Sequence, residues 1–402
     1  MRTVVRKPAL GAAVGVLVLT ASATAVAEPA GTARAEPRAA AQAPPTVSLR
    51  DGTWLKNGQV WLPRGFNMVG LAPPQKCLGS NDEPDPWVGL AHTTFAQHGE
   101  AELKAARDDW KADTVRFQVS ESGLDPQHEY YDGGRYLTSV ENGVKLARDL
   151  GFVVILSVQD QGPGCGDADE LPTAETERAL RTLVPEFKQD RGVMFELFNE
   201  PDTDPGTGSS QPRPAEWERW RDGDAEHLGQ QQLVEIVREL GARNVLLADG
   251  PRKGATFEGM GNHRLKDKLN QTAYAAHPYW FHREGSPVEE DRKWWADRFG
   301  YLTDRGAAVI ATEWNAYGEI NKEGGRAAME AFLDYLPERN IGITAHAFDA
   351  KGTMVKTLHP YWRPTTLNDG PGNCAEPPLV HCGPEAGEKV KELYKDLSAS
   401  PS

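Results

Sequence analysis

Positive charge is in deficit in this chain. Its 44 Lys and Arg are outnumbered by 58 Asp and Glu, a formal net charge of -14. That balance excludes a nucleic-acid partner, because a phosphate backbone demands a basic surface. It also excludes docking on an anionic membrane. Beyond the N-terminus no apolar run is long enough to span a bilayer. Cysteine is scarce, 4 in 402 residues, and no Cys-x-x-Cys occurs, which removes the usual zinc and dithiol motifs. No Gly-x-Gly-x-x-Gly follows the first strand-like run, so a dinucleotide-binding sheet has no support.

What is present starts with an export signal. Arg2, Arg6 and Lys7 precede an apolar stretch from Ala9 to Val26, and Ala25-Val26-Ala27 has a small-x-small cleavage pattern. Residues 1–27 are therefore read as a signal peptide, and the chain as secreted. Residues 28–45 are mostly Ala, Pro, Glu and Arg and cannot bury a core, so they read as a disordered linker. Residues 46–402 remain for one domain. In an exported chain an even cysteine count reads as disulfides. Cys374 and Cys382 sit close together in a Gly/Pro-rich stretch and are expected to pair, which leaves Cys77 with Cys165.

Eight short runs read as buried parallel strands. Phe152 to Val158 is the clearest, apolar at nearly every position. The others are Gly65 to Val69, Thr114 to Val119, Val193 to Phe198, Asn244 to Ala248, Ala273 to His277, Ala308 to Thr312 and Gly342 to Ala347. Amphipathic helical spacing falls between them, as in Leu180, Leu183, Val184 and Phe187, or Met329, Phe332, Leu333 and Leu336. Thr138 and Glu141 read as a capping box. The fifth unit is the weakest, since Arg252 to Gln271 shows little period. Eight alternating units predict an α/β fold closed into a (β/α)8 TIM barrel. Asp51-Gly52 and Asn57-Gly58 are hairpin-turn signals, so an N-terminal β-hairpin is expected to plug the barrel's lower end.

A barrel of this kind carries its site at the carboxyl ends of the strands. Two carboxylates stand there, Glu200 after the fourth strand and Glu313 after the seventh. Cleaving a glycosidic bond needs such a pair, one to protonate the leaving oxygen and one to attack the anomeric carbon or activate water. A gap near 5 Å implies a covalent intermediate and retention; a wider gap implies inversion.

Leu197-Phe198-Asn199-Glu200-Pro201, His277-Pro278-Tyr279 and Thr312-Glu313-Trp314 resemble, in order and on the right strands, the signature segments of glycoside hydrolase family 5, the cellulase and mannanase family. The resemblance implies Glu200 as acid/base and Glu313 as nucleophile. It implies Asn199 at the sugar 2-hydroxyl, Arg116 and Tyr279 beside the nucleophile, and His277 near the acid/base. Trp280 and Trp314 adjoin these residues and are candidate sugar contacts. This chain departs from the family at two strand ends. Gln159-Asp160 stands where the third strand usually ends in histidine, and His346-Ala347-Phe348 where the eighth usually ends in a tryptophan that stacks on sugar. Gln159, and His346 or Phe348, are expected in those places. Trp110, Trp220 and Trp295 are expected in the core. The expectation is a monomeric retaining β-glycosidase acting on a polysaccharide or oligosaccharide, β-1,4-glucan by default, with no metal or cofactor. A β-mannanase and a non-catalytic carbohydrate-binding barrel are the alternatives, although a degenerate binder normally loses one of the two carboxylates.

Overall fold

The computed structural model describes residues 43–71, 98–129, 131–159, 170–204, 211–370 and 383–399. Residues 1–27, most of 28–45, and all four cysteines with their expected pairings lie outside the described residues. Pro44–Ser402 form one compact unit.

Asp51 and Gly52 have φ of 49° and 75°, and Asn57 and Gly58 have φ of 54° and 79°. Left-handed conformation at both central residues is the type I′ geometry that tight hairpins need. The two turns fold Val47–Arg50 (β1), Thr53–Lys56 (β2) and Gln59–Val60 (β3) into a three-stranded antiparallel sheet, one strand more than a simple hairpin. Eight strands follow: Arg64–Met68 (β4), Thr114–Ser120 (β5), Val153–Gln159 (β6), Val193–Glu196 (β7), Leu246–Asp249 (β8), Thr272–Ala276 (β9), Val309–Ala311 (β10) and Gly342–Ala345 (β11). They close into a parallel barrel in sequence order, with β11 against β4. This is the (β/α)8 barrel that the alternation of elements predicts.

Period-two alternation divides each strand between two environments. In β5, Val115, Phe117 and Val119 join the core under the helices. Arg116, one step out of phase, reaches across the lumen to partners from other strands. In the lower lumen the inward side chains are apolar, including Val153, Ile155, Met194, Leu247, Ala275 and Ile310. Trp54 of β2 packs into this layer and donates its indole N–H to the Val309 carbonyl at 3.1 Å. The upper lumen is polar. Asn67, Arg116, Ser157, Glu196, Asp249, His277, Thr312 and Thr344 come one from each strand or the residue directly after it, and none is more than 1% exposed.

Helices Ala174–Phe187, Gln230–Glu239 and Gly325–Glu338 bury the apolar stripes that their spacing predicts. Trp110, Trp220 and Trp295 are core residues, as expected. The capping box at Thr138 is corrected. The helix starts earlier, at Arg135, because Asp132 Oδ1 accepts the Tyr136 N–H at 3.0 Å. Thr138 lies inside the first turn, its hydroxyl donating to the Gly134 carbonyl. Between Asp249 and Thr272 the described residues contain no helix. That segment holds Pro251 and four glycines, and it is tethered by buried Phe257 and Met260 instead.

Trp54→Ala is expected to lower the unfolding free energy by about 3–5 kcal/mol, the usual cost of emptying a buried indole site. Urea titration reads this as a lower midpoint. A change below about 1 kcal/mol would detach the N-terminal sheet from the barrel core.

Candidate active site

Arg116 is the hub of the carboxyl-end layer. Its Nε and Nη2 donate to Glu196 at 2.5 and 3.1 Å, and Nη1 donates to Asn67 Oδ1 and to Glu313 Oε1, each at 2.5 Å. Nη2 also donates to Ser157 Oγ at 2.8 Å and to Asn199 Oδ1 at 2.6 Å. A guanidinium only donates, so the Asn199 oxygen must face it, which leaves the Asn199 amide nitrogen as a donor toward the mouth. Asn67 in turn donates to the Thr312 and Thr344 carbonyls at 2.8 and 2.9 Å, fixing the chain just ahead of Glu313.

Glu313 is 5% exposed. Besides Arg116, it accepts from the Tyr279 hydroxyl at 2.7 Å and from Gln118 Nε2 at 3.3 Å. Burial alone would raise its carboxyl, but His277 and Arg116, aided by His346 and the Tyr279 hydroxyl, hold it down at about 2. Burial and the Glu313 charge push the Tyr279 hydroxyl well above 10, so it stays protonated and able to donate.

Glu200 is less enclosed, its side chain 31% exposed. Its φ is 53°, left-handed for a residue that is not glycine, and Asp249 Oδ2 accepts its backbone N–H at 2.9 Å. Oε1 lies 3.0 Å from His277 Nδ1. Burial opposes charge on His277, yet the Glu313 carboxylate, with the hydrogen bond to Glu200, raises its pKa well above 6.5. The ring is therefore a cation lying between two glutamates. Carboxylate oxygens of Glu200 and Glu313 lie within 4.8 Å of one another. That approach is in keeping with the roughly 5–5.5 Å between carboxyl groups that covalent catalysis uses. Ligand atoms of Glu196, Asp249 and His277 cluster equally closely, but Arg116 and His277 already supply cations to both groups.

The structure brings Arg116, Asn199, Glu200, His277, Tyr279 and Glu313 together, as the resemblance implies. Gln159 ends β6 and is 8% exposed. Trp280 stands at the mouth, 51% exposed. His346 is half-buried, its ring 6.4 Å from that of Tyr279. Two expectations are corrected. Trp314 is fully buried, stacked on Phe332 and against Phe281 beneath the helices. Phe348 is fully buried between Phe66 and Trp110. Both face away from the lumen, so neither ring is available to a sugar, and of the two residues weighed for the eighth strand only His346 lines the site. Sequence reading missed Asn67, Gln118, Ser157, Glu196 and Asp249. All five are polar residues at inward positions of buried strands, and that parity was the signal. It also missed Tyr317, which is 39% exposed after Glu313.

A closed parallel barrel with two facing carboxylates at its carboxyl mouth defines a (β/α)8 barrel of the glycoside hydrolase class. The family profile described as Cellulase (glycosyl hydrolase family 5) matches residues 78–352, and the chain belongs to that family. It is 24% identical over 315 residues to an endoglucanase of Halalkalibacter akibai, covering 74% of this chain and 37% of that protein. It is 23% identical over 279 residues to endoglucanase C of Evansella cellulosilytica, covering 64% of this chain and 32% of that protein. The chain thus spans about a third of the length of these relatives. Among solved structures, a β-glucanase from Saccharophagus degradans in complex with cellotetraose superposes with a TM-score of 0.63 at 18% identity, over 88% of this chain and 94% of that one. A hyperthermophilic endocellulase from Pyrococcus horikoshii superposes at 0.60 with 15% identity, over 88% and 98%. At these identities the structures show the shared fold.

The depressed Glu313 carboxyl sets a pH dependence of stability. Its folded value, about 2, lies below the ordinary 4.5. Its contribution is therefore present above pH 4.5 and is lost as pH falls toward 2. Glu313→Gln should flatten the fall in unfolding free energy across that window, read by urea titration, by on the order of 3 kcal/mol. An unchanged acid limb would contradict the assignment.

Proposed function

We propose that this chain is a secreted, retaining endo-β-glycanase acting on β-1,4-linked glucan by double displacement, with Glu313 as nucleophile and Glu200 as acid/base. The approach of the two carboxylates to within 4.8 Å carries the reading. In the first step a Glu313 oxygen bonds to the anomeric carbon as the glycosidic C–O bond breaks, and Glu200 gives its proton to the departing oxygen. In the second step water replaces Glu313 at that carbon and returns a proton to Glu200, restoring both groups and the original anomeric configuration.

The surroundings support these roles. A nucleophile must be ionised before substrate arrives, and Glu313, with Arg116 and Tyr279 on its oxygens, is. As its charge passes into the ester bond, the same donors hold the oxygen that remains. Glu200 is the more open of the two carboxyls, its side chain 31% exposed, so a leaving oxygen or a water can reach it. The Asn199 amide nitrogen has the polarity and position to donate to a sugar 2-hydroxyl, a bond that tightens at the transition state. The exposed rings of Trp280 and Tyr317 offer flat faces for neighbouring sugars. The choice of β-1,4-glucan is supported by matched relatives named endoglucanases and by a solved neighbour of the same fold in complex with cellotetraose. Secretion rests on the signal-like residues 1–27.

Glu313→Ala should abolish turnover of every substrate. Glu200→Ala should lower kcat on an alkyl β-cellobioside by about 10²–10⁴-fold while leaving the first step on a dinitrophenyl cellobioside nearly intact, because a good leaving group needs no proton. Equal losses on both would remove Glu200 from the acid role. On polymers, soluble cello-oligosaccharides should appear from carboxymethylcellulose and mixed-linkage glucan ahead of any product from mannan. Faster release from mannan would transfer the assignment to a mannanase, and binding without any turnover would favour the carbohydrate-binding alternative.

A further inference from the structure

Asp249 closes β8, and the mechanism above gives it no part. Its side chain is fully buried. Oδ2 accepts the Glu200 N–H at 2.9 Å and lies 3.4 Å from His277 Nε2. Oδ1 has no hydrogen-bond donor, and a carboxylate oxygen of Asp249 lies within 4.8 Å of one on Glu196. The Trp220 indole donates to the Asp249 carbonyl at 2.8 Å, so the residue's backbone is fixed too.

Two carboxylates buried side by side resist double ionisation, and an unpaired oxygen adds a further penalty. One shared proton removes both difficulties. Its place follows from the partners. Glu196 is clamped by two nitrogens of Arg116, whereas Asp249 touches no arginine. The nearer cation, His277, has its Nε2 within 3.1 Å of the Thr312 hydroxyl, closer than to either acid. Burial and the neighbouring Glu196 charge accordingly push the Asp249 carboxyl well above its ordinary range, against the pull of His277 and Arg116, while Arg116 holds Glu196 low.

We propose that Asp249 is a positioning residue acting as a neutral carboxylic acid, its proton shared with Glu196 and its Oδ2 pinning the left-handed backbone of Glu200 so that the acid/base faces Glu313. A non-glycine residue at φ of 53° is held against a steric cost, so the pin decides where that carboxyl points. The inference rests on Glu200 being the acid/base.

Asparagine matches a neutral acid in shape, accepting from Glu200 with its oxygen and donating to Glu196 with its nitrogen. Asp249→Asn should therefore keep kcat within about threefold of the parent and leave both limbs of the pH–rate profile in place. Asp249→Ala should lower kcat roughly tenfold to a hundredfold on an alkyl cellobioside, with KM little changed and the dinitrophenyl substrate largely spared. An Asp249→Asn enzyme as impaired as the alanine variant, or with a displaced pH limb, would show that the charge of Asp249 is needed and overturn the proposal. Equal losses on both leaving groups in the alanine variant would overturn the positioning role. If the alanine variant does not fold, the asparagine profile decides alone. Infrared difference spectra of parent minus Asp249→Asn at neutral pH separate this inference from the function itself. They should show a protonated-carboxyl C=O band, whose absence would refute the neutral acid whatever the enzyme hydrolyses. A parent inactive on every glycan but showing the band would overturn the glycosidase reading and leave the neutral acid standing.

Discussion

Arg116 is a cation sealed inside a barrel, and the carboxyl end of the molecule is organised around its need for acceptors. Burial would strip charge from a guanidinium, yet Glu196 and Glu313 keep it protonated. Five donors in one rigid plane then fix Asn67, Ser157, Glu196, Asn199 and Glu313, which belong to four of the eight barrel strands and the segments just past them. Removing the cation would leave two carboxylates buried and unpaired, a loss of about 3–5 kcal/mol for a broken buried pair. The site and the stability of the upper lumen are thus one construction. The lower lumen, filled by apolar side chains and Trp54, is held mainly by packing, with the Trp54 indole N–H bonded to the Val309 carbonyl.

The two glutamates differ because their surroundings differ. Glu313 is enclosed and meets a guanidinium, an imidazolium and a phenol hydroxyl, all of which favour its charge. Glu200 stands on a left-handed turn at the rim, tied through its backbone to Asp249 and through its carboxyl to His277. Two identical side chains are thereby given unequal access to protons, the asymmetry that a two-carboxylate mechanism requires. Where a family tryptophan is expected at the end of β11, His346 lines the site, burial pushing its imidazole below its ordinary range. The wall beside the nucleophile is consequently a hydrogen-bonding ring rather than a flat apolar face.

Much of this was legible in the sequence. Near-continuous apolar runs such as Val153 to Val158 announced strands covered on both faces, and their alternation with amphipathic helices announced the barrel. Glu200 and Glu313 stood out because each directly follows such a run. Glu196 and Asp249 were passed over for a related reason: they lie within or at the end of a strand, where a run is judged by its apolar majority. Parity would have exposed them, since Arg116, Glu196 and Asp249 all occupy inward steps. Trp314 and Phe348 were misjudged by proximity. Trp314 directly follows Glu313, and adjacent residues in extended chain face opposite ways. Phe348 was weighed with His346, but β11 ends at Ala345, so strand alternation no longer sets where either side chain points. The helix start at Arg135 was missed because Asp132 caps it one turn ahead of the Thr138 pattern.

The central claim is that Glu313 and Glu200 stand close enough for a covalent glycosyl intermediate. Incubation with an activated 2-deoxy-2-fluoro cellobioside, followed by peptide mass mapping, tests it most directly. The account predicts a stable sugar ester on the peptide carrying Glu313, together with retained configuration in the first-formed product from an ordinary substrate. Hydrolysis that inverts the anomeric centre, with no adduct on Glu313, would contradict it.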